Sequence, residues 1–115
     1  MINLEKRRKI ESELAMAQQA RTDGMEGKAR VCARRAVGIA LRGYYSQRQP
    51  QTANSNVVDL IQAFGERPGL PQNLRVICSH LVTRVDPDYQ LPTSMDLLSD
   101  AKILIDAILL EEDNA

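Results

Sequence analysis

Residues 27–45 constrain this chain more tightly than any other segment. Ala29, Ala33, Ala36 and Ala40 recur at steps of four, three and four, which a helix collects on one face. Val37 and Tyr44 thicken the same stripe. Methyl-sized side chains let a neighbouring helix approach closely, so the stripe demands burial inside a helical assembly. The same nineteen residues carry five cations, Lys28, Arg30, Arg34, Arg35 and Arg42. At about 100° per residue, Lys28, Arg35 and Arg42 fall nearly opposite the alanines, and Arg30 and Arg34 form a pair one turn apart. A rod of this kind is expected to seal one side against neighbours and show a positive side to something else.

Length and composition narrow the surroundings of that rod. A chain of 115 residues suits one domain, 1–115, and is short for two. The apolar share of 43% supports a packed core, and an aromatic share of 3% means that Leu, Ile, Val and Ala fill it. No stretch approaches the ~20 apolar residues of a membrane span, and Glu5-Lys-Arg-Arg-Lys9 precedes no signal-peptide segment. The expectation is a soluble cytoplasmic protein with no membrane partner. Cys32 and Cys78 lie far apart inside apolar-patterned segments, so buried reduced thiols are expected rather than a disulfide. One histidine and no paired cysteines argue against structural zinc.

Charge is balanced overall but not along the chain. Residues 1–48 hold eleven Lys and Arg against five Asp and Glu, whereas residues 49–115 hold four against ten. Two readings follow. Basic early helices can lie beside acidic late ones and cancel, or the basic elements can present a polyanion-binding patch. With no net charge, long-range steering toward nucleic acid is weak, which favours cancellation.

Five helices are predicted. The first spans about 3–21, with Asn3 as N-cap and Ile10, Leu14 and Ala17 inward, and Thr22-Asp-Gly24 ends it. The second runs from residue 24 or 26 to 48, and residues 49–55 form a polar loop. Asn54 or Ser55 caps a short third helix with Val57, Leu60, Ile61 and Phe64 inward, ending at Gly65. Pro68-Gly-Leu-Pro71 resets the chain, and a fourth helix over about 71–83 buries Leu74, Ile77, Cys78 and Leu81. After a proline-marked loop, Thr93 or Ser94 caps a last helix over about 95–110, whose inward face is Leu97, Leu98, Ala101, Leu104, Ile105, Ile108 and Leu109. Residues 110–115 are expected to fray. The fold class is all-α, an antiparallel up-and-down bundle of four to five helices.

The order of these features resembles the HEPN family of small helical bundles. The matching parts are residues 14–20, Gly24, the alanine- and charge-studded 29–45, 57–64, 77–81, the Tyr- and Pro-bearing loop 86–92, and 101–109. The family's Arg-Tyr-Pro is replaced by the looser Arg84-Val-Asp-Pro-Asp-Tyr89. The resemblance implies an up-and-down bundle, homodimerisation and a role in nucleotide or RNA biology, beside a nucleotidyltransferase partner or within a toxin–antitoxin pair. It also implies a test for the family's ribonuclease branch, marked by Arg, four to six residues, then His. Arg75 and His80 fit that spacing. There a histidine would shuttle the 2′-hydroxyl proton and an arginine would hold the phosphate, without metal. On a straight helix a five-residue step separates the two side chains by about 140°. Val76 also stands where the branch places a polar residue.

Other residues complete the candidates. The five cations of 28–42 can hold phosphate, or pair with acids of the last helix such as Asp100 and Asp106. Tyr44 and Tyr45 are the only aromatics near them, a poor platform for stacking bases. Ile103 and Leu110, seven apart off the core face, form an oligomer or partner seam or meet the 86–92 loop. Asp86, Asp88 and Asp96 read as turn chemistry, and no metal or cofactor is expected. The leading expectation is a non-catalytic HEPN-like module contacting nucleotide, RNA or a protein partner. The alternatives are a ribonuclease using Arg75 and His80, or a purely structural, partner-binding bundle.

Overall fold

Small residues decide how closely the helices meet. The computed structural model describes residues 3–83 and 96–114, and every element among them is helical. Six helices follow in order: α1 (Leu4–Thr22), α2 (Glu26–Arg48), α3 (Pro50–Ala53), α4 (Val57–Gly65), α5 (Gln72–Val82) and α6 (Leu97–Asn114). The alanine row of α2 is fully sealed, with Ala29, Ala33, Ala36, Ala40, Val37 and Tyr44 all buried. Burial also extends to the other side of the rod, where Gly38, Leu41, Gly43 and Tyr45 are covered. α2 packs on α1, α3, α4 and α6, so the expected single sealed face is really more than half the circumference. Apart from its exposed first and last turns, only a narrow strip bearing Lys28, Val31, Arg35 and Arg42 stays wet.

Turn chemistry sets the directions. Asn3 caps α1 by accepting from the Lys6 N–H at 2.8 Å. Gly24, at φ +76°, ends that helix while the Met25 N–H reaches the Ala20 carbonyl at 2.7 Å, the Schellman arrangement. α2 therefore doubles back along α1. Arg67-Pro-Gly-Leu70 makes a tight turn, with Gly69 at φ +80° and the Leu70 N–H on the Arg67 carbonyl at 3.3 Å. Arg7–Asp113 at 2.7 Å and Arg21–Asp96 at 2.9 Å sit at opposite ends of α1 and α6, which makes that pair antiparallel.

Several details differ from the sequence reading. Residues 50–53, expected as loop, form the single-turn α3 with Pro50 in the first position, where its missing N–H is harmless. Asn56, not Asn54 or Ser55, caps α4, accepting from the Asp59 N–H at 2.9 Å. Thr93 and Ser94 lie outside the described residues, while Asp96 accepts the Ser99 N–H at 3.1 Å in the first turn of α6. α4 starts against Gly38 and ends with Phe64 edge-on to Tyr44 at 5.4 Å, so it runs in the same sense as α2. The step from α2 to α4 thus departs from strict up-and-down alternation. The frayed tail is also corrected: α6 continues to Asn114, where Glu111, Glu112 and Asp113 meet Arg67 of the α4–α5 turn, Arg48 of α2 and Arg7 of α1.

The tightest approach lies between α2 and α4, where a Cβ on Gly38 would stand 2.7 Å from Val57 Cγ2. Alanine at 38 gains about 1 kcal/mol of helix propensity but must displace a stiff, β-branched neighbour. Gly38→Ala is expected to lower unfolding stability by about 1–3 kcal/mol net, with part of the loss recovered in Gly38→Ala/Val57→Ala. Urea denaturation of both single variants and the double measures this, and strictly additive losses would contradict a direct contact.

Candidate functional site

The five cations of α2 separate into distinct environments. Arg34 is half-buried, and its Nε donates to the Leu81 carbonyl at 2.8 Å and its Nη2 to the Thr83 carbonyl at 3.0 Å. It thereby caps the C-terminal end of α5, where open carbonyls and the helix dipole favour a cation. Burial, then the like charge of Arg30, pull its pKa below the usual arginine value. Arg34 is a structural clamp, not part of an open face. Arg30 is half-buried beside it and joins no ion pair with a described residue. Lys28, Arg35 and Arg42 are exposed and enter no ion pair with a described residue. Arg42 also donates to the Ser55 carbonyl, in the turn before α4, at 3.4 Å.

Charge cancellation does occur, but through other cations. Asp113 takes Arg7, Asp96 takes Arg21, Glu112 takes Arg48, and Glu111 takes Arg67. Asp100, an expected partner for the α2 cations, instead accepts His80. Every acid of α6 except the exposed Asp106 is therefore engaged, and among the described residues none of them, Asp106 included, pairs with the Lys28–Arg35–Arg42 strip. At seven-residue intervals these three lie in line, with about 10.5 Å of rise per step. Cys32 lies just inside the strip, one turn from Lys28 and close to Arg35. Burial, then the adjacent Glu13 carboxylate, push its thiol pKa up, with Arg35 and Lys28 opposing. Glu13 Oε2 is buried and has no hydrogen-bond partner.

Arg75 and His80 are not brought together. Arg75 Nε donates to the Leu70 carbonyl at 3.2 Å and Nη2 to the Arg67 carbonyl at 2.7 Å, so it staples the Pro68-Gly69 turn. His80 Nδ1 lies 2.9 Å from Asp100 Oδ2, across the α5–α6 contact. α5 is continuous from Gln72 to Val82, so no kink offsets the ~140° between them. A cleft of about 210 Å³ beside Arg75 is lined by Gln62, Glu66, Cys78 and Ser79. Burial raises the Cys78 thiol to about 11, which keeps it protonated and poor as a nucleophile near neutral pH. Among the described residues no group of three metal-ligating side chains gathers, and Asp86 and Asp88 lie outside them.

Sequence reasoning missed one cluster. Arg48 and Arg67 both stand over the Tyr44 ring, at 4.1 and 5.5 Å from its centroid. Arg67 Nη1 also donates to the Tyr44 hydroxyl at 2.9 Å and to Glu111 at 3.0 Å. Arg48 Nη1 donates to Glu112, whose side chain is buried, and to the Tyr44 carbonyl at 3.0 Å. Burial, then Tyr44 beside it, push Tyr45 up to about 12, so its hydroxyl stays protonated. The knot fastens the ends of α2, α4 and α6. Its signal, an acidic cluster at 111–113, looked like a solvated tail because its partners lie 44 and 64 residues away.

No family model, curated protein or solved structure matches the chain. Across the described residues no helix is long and apolar enough to cross a membrane. The division of arginines into clamps and wet side chains has a direct readout. Arg34→Ala and Arg48→Met are each expected to lower unfolding stability by about 2–3 kcal/mol, because the first strips the end carbonyls of α5 of their charged donor and the second removes one charged donor from the buried Glu112 carboxylate. Arg35→Ala and Arg42→Ala are expected to stay within about 0.5 kcal/mol of the parent. Thermal and urea unfolding of the four variants separates the two classes.

Proposed function

We propose that this chain is a non-catalytic helical binding module that holds a phosphate-bearing ligand, a nucleotide or RNA, on the wet strip of α2. One observation carries the reading. On α2 the aligned Lys28, Arg35 and Arg42 form an exposed row apart from the carboxylates that engage Arg7, Arg21, Arg48 and Arg67, whereas exposed Arg8 of α1 and Lys102 of α6 belong to no such row. Guanidinium groups that keep their donors open suit phosphate oxygens, and a rigid helix sets their spacing in advance. The module is HEPN-like in the order of its helical segments. The ribonuclease alternative draws less support, since Arg75 and His80 serve separate contacts on different sides of α5.

A protein-docking role has its own observation. Ile103 and Leu110 are 45% and 63% exposed, on the outer side of a helix whose inner side is fully packed. Such a pair is the natural seam for a homodimer or for a nucleotidyltransferase-like partner. Leu110→Asp is expected to shift the oligomeric state toward monomer in light scattering. An unchanged mass would remove this seam.

Labelled RNA titrated at low salt tests the main reading. Combined Lys28→Gln, Arg35→Gln and Arg42→Gln should weaken binding about tenfold or more, equivalent to ~1.4 kcal/mol. Equal affinity of parent and triple variant would remove the strip from the argument.

A further inference from the structure

We infer that the strip grips the phosphate backbone of a double-stranded nucleic acid without reading its sequence. This deepens the reading above and rests on it. Three features of the surface select the duplex over a mononucleotide or a single strand.

Span is the first. Lys28, Arg35 and Arg42 extend along one unbroken helix for about 21 Å. A mononucleotide reaches one of the three cations at a time. A duplex, stiff over about 150 base pairs, presents a fixed line of phosphates to all three at once. The second is the lack of rings. Tyr44, Tyr45 and Phe64 are 6%, 4% and 0% exposed, and the side chain exposed between Lys28 and Arg35 is the aliphatic Val31. Single strands gain much of their affinity by stacking bases on aromatic side chains. Here, among the described residues, the strip offers none.

Shape is the third. α2 is flanked on one side by α1, at Glu13 and Cys32, and on the other by α4, at the Gly38–Val57 contact. Exposed Met16 of α1 and Val58 of α4 belong to those flanking helices. A major groove about 12 Å wide admits a lone helix, not three side by side. The strip therefore stays outside that groove, and the deeper, narrower major groove of an RNA duplex excludes it as well, so the cations meet phosphates, with the 2′-hydroxyls beside them in RNA, rather than a major-groove base code. Glu13 sits just beneath, a negative charge that subtracts from the field of Lys28 and Arg35.

Fluorescence anisotropy on the full chain tests this with four labelled probes of ~16 nucleotides per strand. They are two duplex RNAs of unrelated sequence, one of their single strands, and a duplex DNA. The duplexes should bind at least fivefold tighter than the single strand, and the two duplex RNAs should agree within about twofold. The duplex DNA shows whether RNA geometry or phosphate alone is recognised, and its affinity should lie within about tenfold of the RNA. Three phosphate contacts give a log–log salt slope near −2.7, and each of Lys28→Gln, Arg35→Gln and Arg42→Gln should reduce it by about 0.9. Glu13→Gln should tighten binding about two- to threefold. A single strand that binds tighter, through the same three cations, overturns the duplex inference and leaves the phosphate reading standing. Unrelated duplexes that differ more than tenfold overturn backbone-only contact. No binding by any probe overturns both.

Discussion

Close approach onto one rod governs this molecule. α2 touches α1, α3, α4 and α6, and it can do so because alanine and glycine line the sides that face them. Each added methyl along that rod would push a neighbour outward, since packed interiors yield little. The consequence for chemistry is that α2 has almost no surface to spare. What remains wet is one strip, and every exposed cation of the rod's middle is forced into it. A positive row thus arises as a by-product of packing, before any ligand is considered.

The second organising force is the acidic last helix. Carboxylates at a helix C-terminus oppose the dipole, so Glu111, Glu112 and Asp113 are locally unfavourable. They are held in helical form by Arg67, Arg48 and Arg7, which come from the α4–α5 turn, α2 and α1. Exposed ion pairs stabilise weakly, but the Arg48–Glu112 contact is sheltered and shares the Tyr44 ring with Arg67. That knot neutralises the acids at one end of the bundle and leaves the opposite flank of α2 uncompensated.

Local periodicity made much of this legible from the sequence. The alanine stripe, the Gly24 stop and the inward row of α6 each depend on spacing within one element, and each is found buried or turned as expected except Leu109, which is half-buried. Features that depend on distant partners were not legible. Three adjacent residues at 54–56 can all cap a helix, and the register of α4 on Gly38 decides for Asn56. Arg34 looked like its neighbours in the cationic row, but the open end of α5 claims it. Arg75 and His80 matched a motif by spacing alone, and their separate partners, the 67–70 turn and Asp100, keep them apart.

The Arg7–Asp113 bridge links the beginning of α1 to the end of α6, and Arg21–Asp96 repeats the link at the far end. In space, α1 and α6 lie side by side, so their contact closes the described helices into a ring. Loop-closure entropy rises only slowly with length, so pairing the outermost helices is affordable even across the whole chain. The two bridges therefore act as a clasp, and loosening either one frees an end of both α1 and α6 at once.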